Sequence, residues 1–158
     1  MAQALCVKED VADMKPTWVL MRGNPQSPGE EVQPSFPSVL SPPKPEILPL
    51  AEGAVSSGRR TALAKWMTSP DNPLTSRVMV NRLWQHHFGR GIVRTSSDFG
   101  FQGSKPTHPE LLDWLASTFV ESGWSIKAMH RLIMNSAAYQ MSSAGRDDAL
   151  AKDATNDH

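Results

Sequence analysis

The chain has one cysteine, Cys6, in 158 residues. A single thiol excludes an intrachain disulfide, a thiolate zinc cluster and a Cys-x-x-Cys-His haem attachment. Long apolar runs are lacking as well. No stretch approaches the roughly 20 apolar residues that span a bilayer. The opening residues, with Lys8, Glu9, Asp10 and Asp13, lack the apolar centre of a signal peptide. The expectation is a chain with no membrane span and no signal peptide of its own. Net charge is absent too, 16 basic residues balancing 16 acidic ones. What remains, 20% charged and 39% hydrophobic residues, is neither a disordered polyampholyte nor a membrane protein, and the length fits one domain.

The strong enzymatic signatures are also missing. There is no Gly-x-Ser-x-Gly elbow, no phosphate-binding Gly-Lys-Ser loop and no His-Glu-x-x-His site. Asp98-Phe99-Gly100 copies the metal-binding triplet of protein kinases, but the glycine-rich loop, strand lysine and His-Arg-Asp loop that give it meaning do not precede it. It reads as a loop turn.

Charge and proline divide the chain. Residues 1–58 hold four basic against seven acidic residues, residues 59–140 ten against five, and residues 141–158 two against four. Nine of the thirteen prolines fall between residues 16 and 49, which forbids a helix there. Thr17 to Arg22 is rich in strand formers and closed by the turn-like Gly23-Asn24-Pro25, so one short strand is expected, its partner near Val39-Leu40 or outside the chain. Residues 50–58 read as a flexible connector.

From Arg59 the pattern is helical, with Leu63, Trp66 and Met67 marking an apolar face until Pro70. Asn72 caps a second helix that runs to Phe88, with Gly89 as its left-handed stop. Met79, Val80, Leu83, Trp84 and Phe88 share its apolar arc, and Arg82 and His86 lie opposite. Thr107 to Glu110 has the form of a capping box for a third helix whose core face is Leu111, Leu115 and Phe119, and Gly123 ends it. Ser125 caps a fourth, with Met129 packing back on Trp124, then Ile133 and Ala137 inward. The fold class is mainly α: a four-helix orthogonal cluster preceded by a Pro-rich irregular segment with one short β-strand. The organisation is 1–58 irregular, 59–143 helical and 144–158 a mobile tail or truncated element.

Candidate chemistry centres on polar residues of the second helix and the loop after it. Asn81, Arg82, His86, Asp98 and His108 could form a hydrolase-like or carbohydrate-processing site if they converge on one pocket. The alternative is a structural network, in which a buried member takes internal partners such as Asp98. His86-His87 resembles a metal pair, yet helix neighbours diverge by about 100° and Arg82 one turn away would repel a cation, so no metal site is assigned. His87 lies on the apolar arc as a core histidine, and His130 has a structural role. The four tryptophans of the helical half are expected to pack among leucines rather than stack bases or sugars. The arginines Arg59, Arg60, Arg77, Arg82, Arg90 and Arg94 invite a helix-turn-helix reading, but the helix that would read bases is too apolar, so anion or nucleic-acid binding is a second alternative only.

The helical half resembles a known family. Arg59-Arg60-Thr61-Ala62-Leu63-Ala64-Lys65-Trp66-Met67, the run from Asn72-Pro73-Leu74-Thr75 through Asn81-Arg82-Leu83-Trp84-Gln85-His86-His87-Phe88-Gly89, Ser97-Asp98-Phe99-Gly100, His108-Pro109-Glu110-Leu111-Leu112-Asp113-Trp114-Leu115 and Ser122-Gly123-Trp124-Ser125 are similar to the planctomycete surface-domain-one (PSD-one) family, domain of unknown function 1553. The likeness spans roughly residues 17–143 and reads as the N-terminal portion of that domain. It implies part of a large exported bacterial protein, periplasmic or at the cell surface. Its partners would be the parent's other domains, often c-type cytochrome-like. The chain lacks the haem-binding segment, so no cofactor is expected in it. The function the resemblance leaves is a non-catalytic structural or interaction module.

Overall fold

A computed structural model of the chain describes residues 15–47, 56–145 and 147–153. The segment around Cys6, most of the expected connector and the last five residues lie outside the described residues. The chain divides into two compact units between Ser69 and Pro70, so the helix opening at Arg59 clusters with the N-terminal unit.

In the first unit β1 (Thr17–Leu20) and β2 (Pro28–Val32) pair antiparallel, Thr17 opposite Val32 and Leu20 opposite Pro28. The expected strand is therefore present, but its partner is neither near Val39-Leu40 nor outside the chain. Val39 sits in a short 3-10 turn, 87% exposed. Arg22 at φ 52° and Gly23 at φ 74° reverse the backbone, the Met21 N–H bonds to the Ser27 carbonyl, and the Asn24 side chain accepts from the Gln26 N–H. Propensity speaks against β2 because it opens on Pro28-Gly29, yet a proline at the first strand residue removes no needed ladder donor. In α1 (Arg59–Met67) Ala62 is buried, while Leu63 and Met67 are each 45% exposed. The inward face is thus the Ala62–Trp66 row, one residue round from the expected one, and Trp66 stacks on Phe36 with centroids 4.6 Å apart.

The second unit holds α2 (Thr75–Phe88), α3 (Pro109–Glu121), α4 (Ile126–Met134) and a short α5 (Asp147–Lys152) where only an aperiodic tail is expected. Val80 and Leu83 of α2 meet Ile92 and Val93 of the following loop, Leu112, Leu115, Ala116 and Phe119 of α3, and Met129 and Ile133 of α4. Each of these is under 10% exposed, and such burial is the main favourable term in holding the three helices together. Trp84, Phe88 and Trp124 pack against the edge of this core. Trp114 does not: it is 53% exposed, because it lies about 200° from Leu112 and 100° from Leu115 around α3. The expectation that all four indoles pack therefore fails at Trp114.

The helix ends follow local chemistry with one exception. The Asn72 side chain accepts from the Leu74 and Thr75 N–H groups, although the first regular residue of α2 is Thr75. Gly89 closes α2 at φ 78°. α3 ends in a Schellman motif, with the Trp124 N–H on the Phe119 carbonyl and the Gly123 N–H on the Val120 carbonyl. Ser125 accepts from the Ala128 N–H at 3.2 Å. The exception is the capping box at Thr107. α3 has no side-chain cap, and Thr107 instead donates from both its N–H and its hydroxyl to the Ile92 carbonyl. A threonine fixed to another segment cannot also turn its oxygen to the helix end.

Candidate functional site

Asn81 is the only member of the predicted polar set that is buried, and it is wholly buried. Its side-chain amide donates to the Val93 carbonyl at 3.0 Å and its oxygen accepts the Val93 N–H at 2.8 Å. A carboxamide is the one neutral side-chain group that matches both edges of a backbone residue in this way. Gly91 makes the approach possible, since a Cβ there would stand 2.8 Å from the Asn81 amide atoms. Asn81 therefore clips the loop after α2 onto the helix. Its partner is Val93, not Asp98.

The other four candidates stay apart from it. Arg82 and His86 are exposed on the outer face of α2. Asp98 is exposed and its carboxylate accepts the Gly100 N–H at 2.8 Å, a local loop turn. His108 is exposed at the start of α3, its Nδ1 3.0 Å from the Thr107 hydroxyl. Arg82 is open to solvent and bonds to neither Asp98 nor a backbone carbonyl of a described residue. Arg77 does reach a carbonyl: its Nη1 donates to the Pro73 oxygen, and its Nε donates to Asp113 at 2.7 Å. Among the described residues no three histidine, cysteine, aspartate or glutamate side chains gather as a metal site, and no helix is long and apolar enough to cross a membrane.

A polar contact that sequence spacing does not reveal joins α2 to α4. The His87 Nε2 lies 2.8 Å from the His130 Nδ1, with the rings edge to face. One nitrogen donates and the other accepts, the tautomers deciding which. Tyr139 lies edge-on to both His87 and Phe88. Burial, then the neighbouring His130 and His86, push the His87 pKa below its ordinary 6.5. His87 is therefore half-buried at the edge of the core and not within it as expected, and His130 is its specific partner. Only their places at the edge of two apolar faces hint at it, because 43 residues separate them.

A cleft of about 380 Å³ opens between the start of α2 and the outer face of α3, walled by Ser76, Arg77, Asp113, Ser117 and Glu121 over a floor of Ala116 and Val120. None of the five predicted site residues lines it.

The family described as "Protein of unknown function (DUF1553)", PSD1, matches residues 59–158, well over half the chain. The chain belongs to PSD1. No curated protein and no solved structure matches it. The PSD1 match begins at the first residue of α1 and takes in Asn81, the histidine pair and the cleft, so every site described in the second unit lies inside the family's span.

His87 gives the PSD1 chain a pH-dependent stability with a definite sign. His87 binds its proton less readily folded than unfolded, so the unfolded state takes up more protons as the pH drops. Its contribution is complete above about pH 6.5 and is lost as the pH falls from there through the depressed folded value. Thermal unfolding between pH 7.5 and 5 should show a falling midpoint, and the slope should flatten in His87→Phe. An unchanged slope in that variant would assign the effect to other groups.

Proposed function

We propose that the chain is a non-catalytic structural or interaction module of a larger exported bacterial multidomain protein, placed in the periplasm or at the cell surface. Asn81 supports this most. The polar side chain most deeply set in the helical unit has both ends of its amide committed to the Val93 backbone, which leaves it no atom for a substrate. Arg82 and His86 share one helix face, while Asp98 and His108 bond within their own turns. Concerted acid–base work needs groups within hydrogen-bond reach of one reacting centre, and Asp98 and His108 are engaged in local turns instead. The arginines give little support to an anion site: Arg77 is held by Asp113 and Pro73, and Arg60, Arg90 and Arg94 each have an interaction partner. The partners of such a module would be the neighbouring domains of its parent, c-type cytochrome-like ones among them by family resemblance. Trp114, 53% exposed, offers an apolar contact for one of them.

The test is a search for turnover. Incubated with chromogenic esters, phosphomonoesters and glycosides, the full chain should release product no faster than buffer. Turnover that disappears in the Arg82→Ala/His86→Ala double variant, with circular dichroism unchanged, would overturn the reading in favour of a hydrolase-like site.

A further inference from the structure

We propose that the contact between His87 and His130 is an acid-released latch: once both imidazoles are cationic, α2 and α4 part at this edge and the segment after α4 carries Tyr139 off Phe88, while the three-helix core stays closed. This is a local opening, whereas the pH-dependent stability described above belongs to the whole fold, and it holds whether or not the chain has turnover.

The chemistry of the bond sets how many protons it tolerates. With both rings neutral, one of the two facing nitrogens, His87 Nε2 and His130 Nδ1, carries a hydrogen and the other a lone pair, at a separation of 2.8 Å. One added proton leaves the bond intact, because a cationic imidazole donates from both nitrogens and its neutral neighbour still accepts. A second proton removes the last lone pair. Two N–H groups then face each other, and two like charges stand at hydrogen-bond distance.

Nothing in the surrounding elements offsets that second charge. α2, α4 and residues 135–145 contain no aspartate or glutamate. Their other ionisable side chains are Arg77, Arg82 and His86 on α2, Lys127 and Arg131 on α4, and Tyr139. On α3, which packs against both helices, Glu110 is exposed at the start, Asp113 accepts from Arg77, and Glu121 lines the cleft on the outer face. The stretch between α2 and α3 carries Arg90, Arg94, Asp98, Lys105 and His108, and its one carboxylate, that of Asp98, accepts the Gly100 N–H. Burial first, then the charges of His130 and His86, hold the His87 pKa below its ordinary 6.5, so the second proton arrives on the acid side of that value.

Beyond α4 the chain has few other ties to α2. The hydrogen bonds of residues 135–140 run to one another or back to α4: the Ser136 hydroxyl donates to the Ile133 carbonyl, the Tyr139 N–H meets Ser136, and the Gln140 side chain donates to the Asn135 carbonyl. What reaches α2 is the Tyr139 ring, edge-on to His87 and Phe88 with centroids 5.4 and 5.8 Å apart. A segment with no hydrogen bond to its neighbouring helix opens at lower cost than a core helix. Its departure uncovers the edge of Phe88, which stacks on Trp84. The core does not follow, since Val80, Leu83, Met129 and Ile133 join the same two helices at 8% exposure or less and have nothing to titrate.

Tyr139 is the only tyrosine of the chain, so labelled tyrosine reports on this position alone. The experiment follows the ring signals of carbon-13 tyrosine in the full chain by NMR from pH 7.5 to 5, with far-UV circular dichroism recorded alongside. At neutral pH the ring currents of His87 and Phe88 should displace these signals. On acidification they should move to the position of tyrosine in an unstructured peptide, with a midpoint below pH 6.5 and the helical dichroism constant. His130→Gln keeps a donor and an acceptor but takes up no proton, and His87→Phe keeps an aromatic ring, so the response should vanish in each. His86→Ala should retain it. Signals that do not move, that move alike in His130→Gln and His87→Phe, or that stop moving in His86→Ala would overturn the proposal. So would a displacement that comes only with loss of helical dichroism, an outcome that removes the latch and leaves the stability prediction for His87 standing.

Discussion

Phe119→Ala is expected to remove about 3–5 kcal/mol of stability, the largest effect of any single substitution in the helical unit. Phe119 is 2% exposed in the middle of the core and meets Trp124 edge to face, with centroids 5.2 Å apart. Truncation forfeits the transfer free energy of the ring and leaves a cavity that three crossing helices cannot collapse into. It also unsettles the next connection. Trp124 sits at φ 61°, a conformation that disfavours bulky residues, and is held there by its N–H on the Phe119 carbonyl and its indole against the Phe119 ring. Without the ring the turn into α4 keeps only the backbone half of that support. For a unit of this size the thermal midpoint should drop by on the order of 15–20 °C. A change under about 1 kcal/mol by urea titration would show that the core has its centre elsewhere.

Asn81→Leu should cost about 2–4 kcal/mol although it places a more apolar side chain in a buried position. The two shapes are alike, so packing volume barely changes. The loss comes from Val93, 2% exposed, whose N–H and carbonyl would both be left without the partners they now have. Each buried unmatched group costs about 1–3 kcal/mol. Asn81→Asp separates the two bonds, because a carboxylate accepts the Val93 N–H but cannot donate to its carbonyl. Chemical denaturation of both variants checks the account, and hydrogen exchange at the Val93 amide should rise sharply in the leucine variant. A leucine variant as stable as the parent would mean that the loop holds to α2 without the clip.

These two residues show what the sequence could and could not disclose. Phe119 was legible because a core face at helical spacing is a local pattern, as are the cap at Asn72, the stops at Gly89 and Gly123 and the cap at Ser125. Asn81 was legible as a polar residue in an apolar helix, but its partner lies twelve residues on, around a turn whose path no local rule gives. The same distance in sequence hid the His87–His130 contact. β2 was missed for the opposite reason: its first residues, Pro28 and Gly29, argue locally for a loop, and only the hairpin turn before them overrides that. Trp114 departs from expectation because hydrophobicity alone does not give direction. Its neighbours Leu112 and Leu115 define the buried side of α3, and an angle of 100° from the nearer of them puts an indole at the surface. The polar wall of the cleft is legible in the chain, since Asp113, Ser117 and Glu121 recur every four residues, whereas the approach of the start of α2 that closes the cleft is not.

The segment from Thr95 to Ser104 is closed on itself. The Thr95 hydroxyl donates to the Asp98 carbonyl and accepts the Ser104 N–H, and Asp98 and Gly103 turn inward on further backbone bonds. Phe101, fully exposed, stands at the far tip. Foreign residues spliced beside Phe101 would lengthen a ring already tied at its neck, so their conformational freedom would end at Thr95 and Ser104 instead of propagating into α2 and α3. An epitope tag or fluorophore could thus be carried on this scaffold with its helices left as they are.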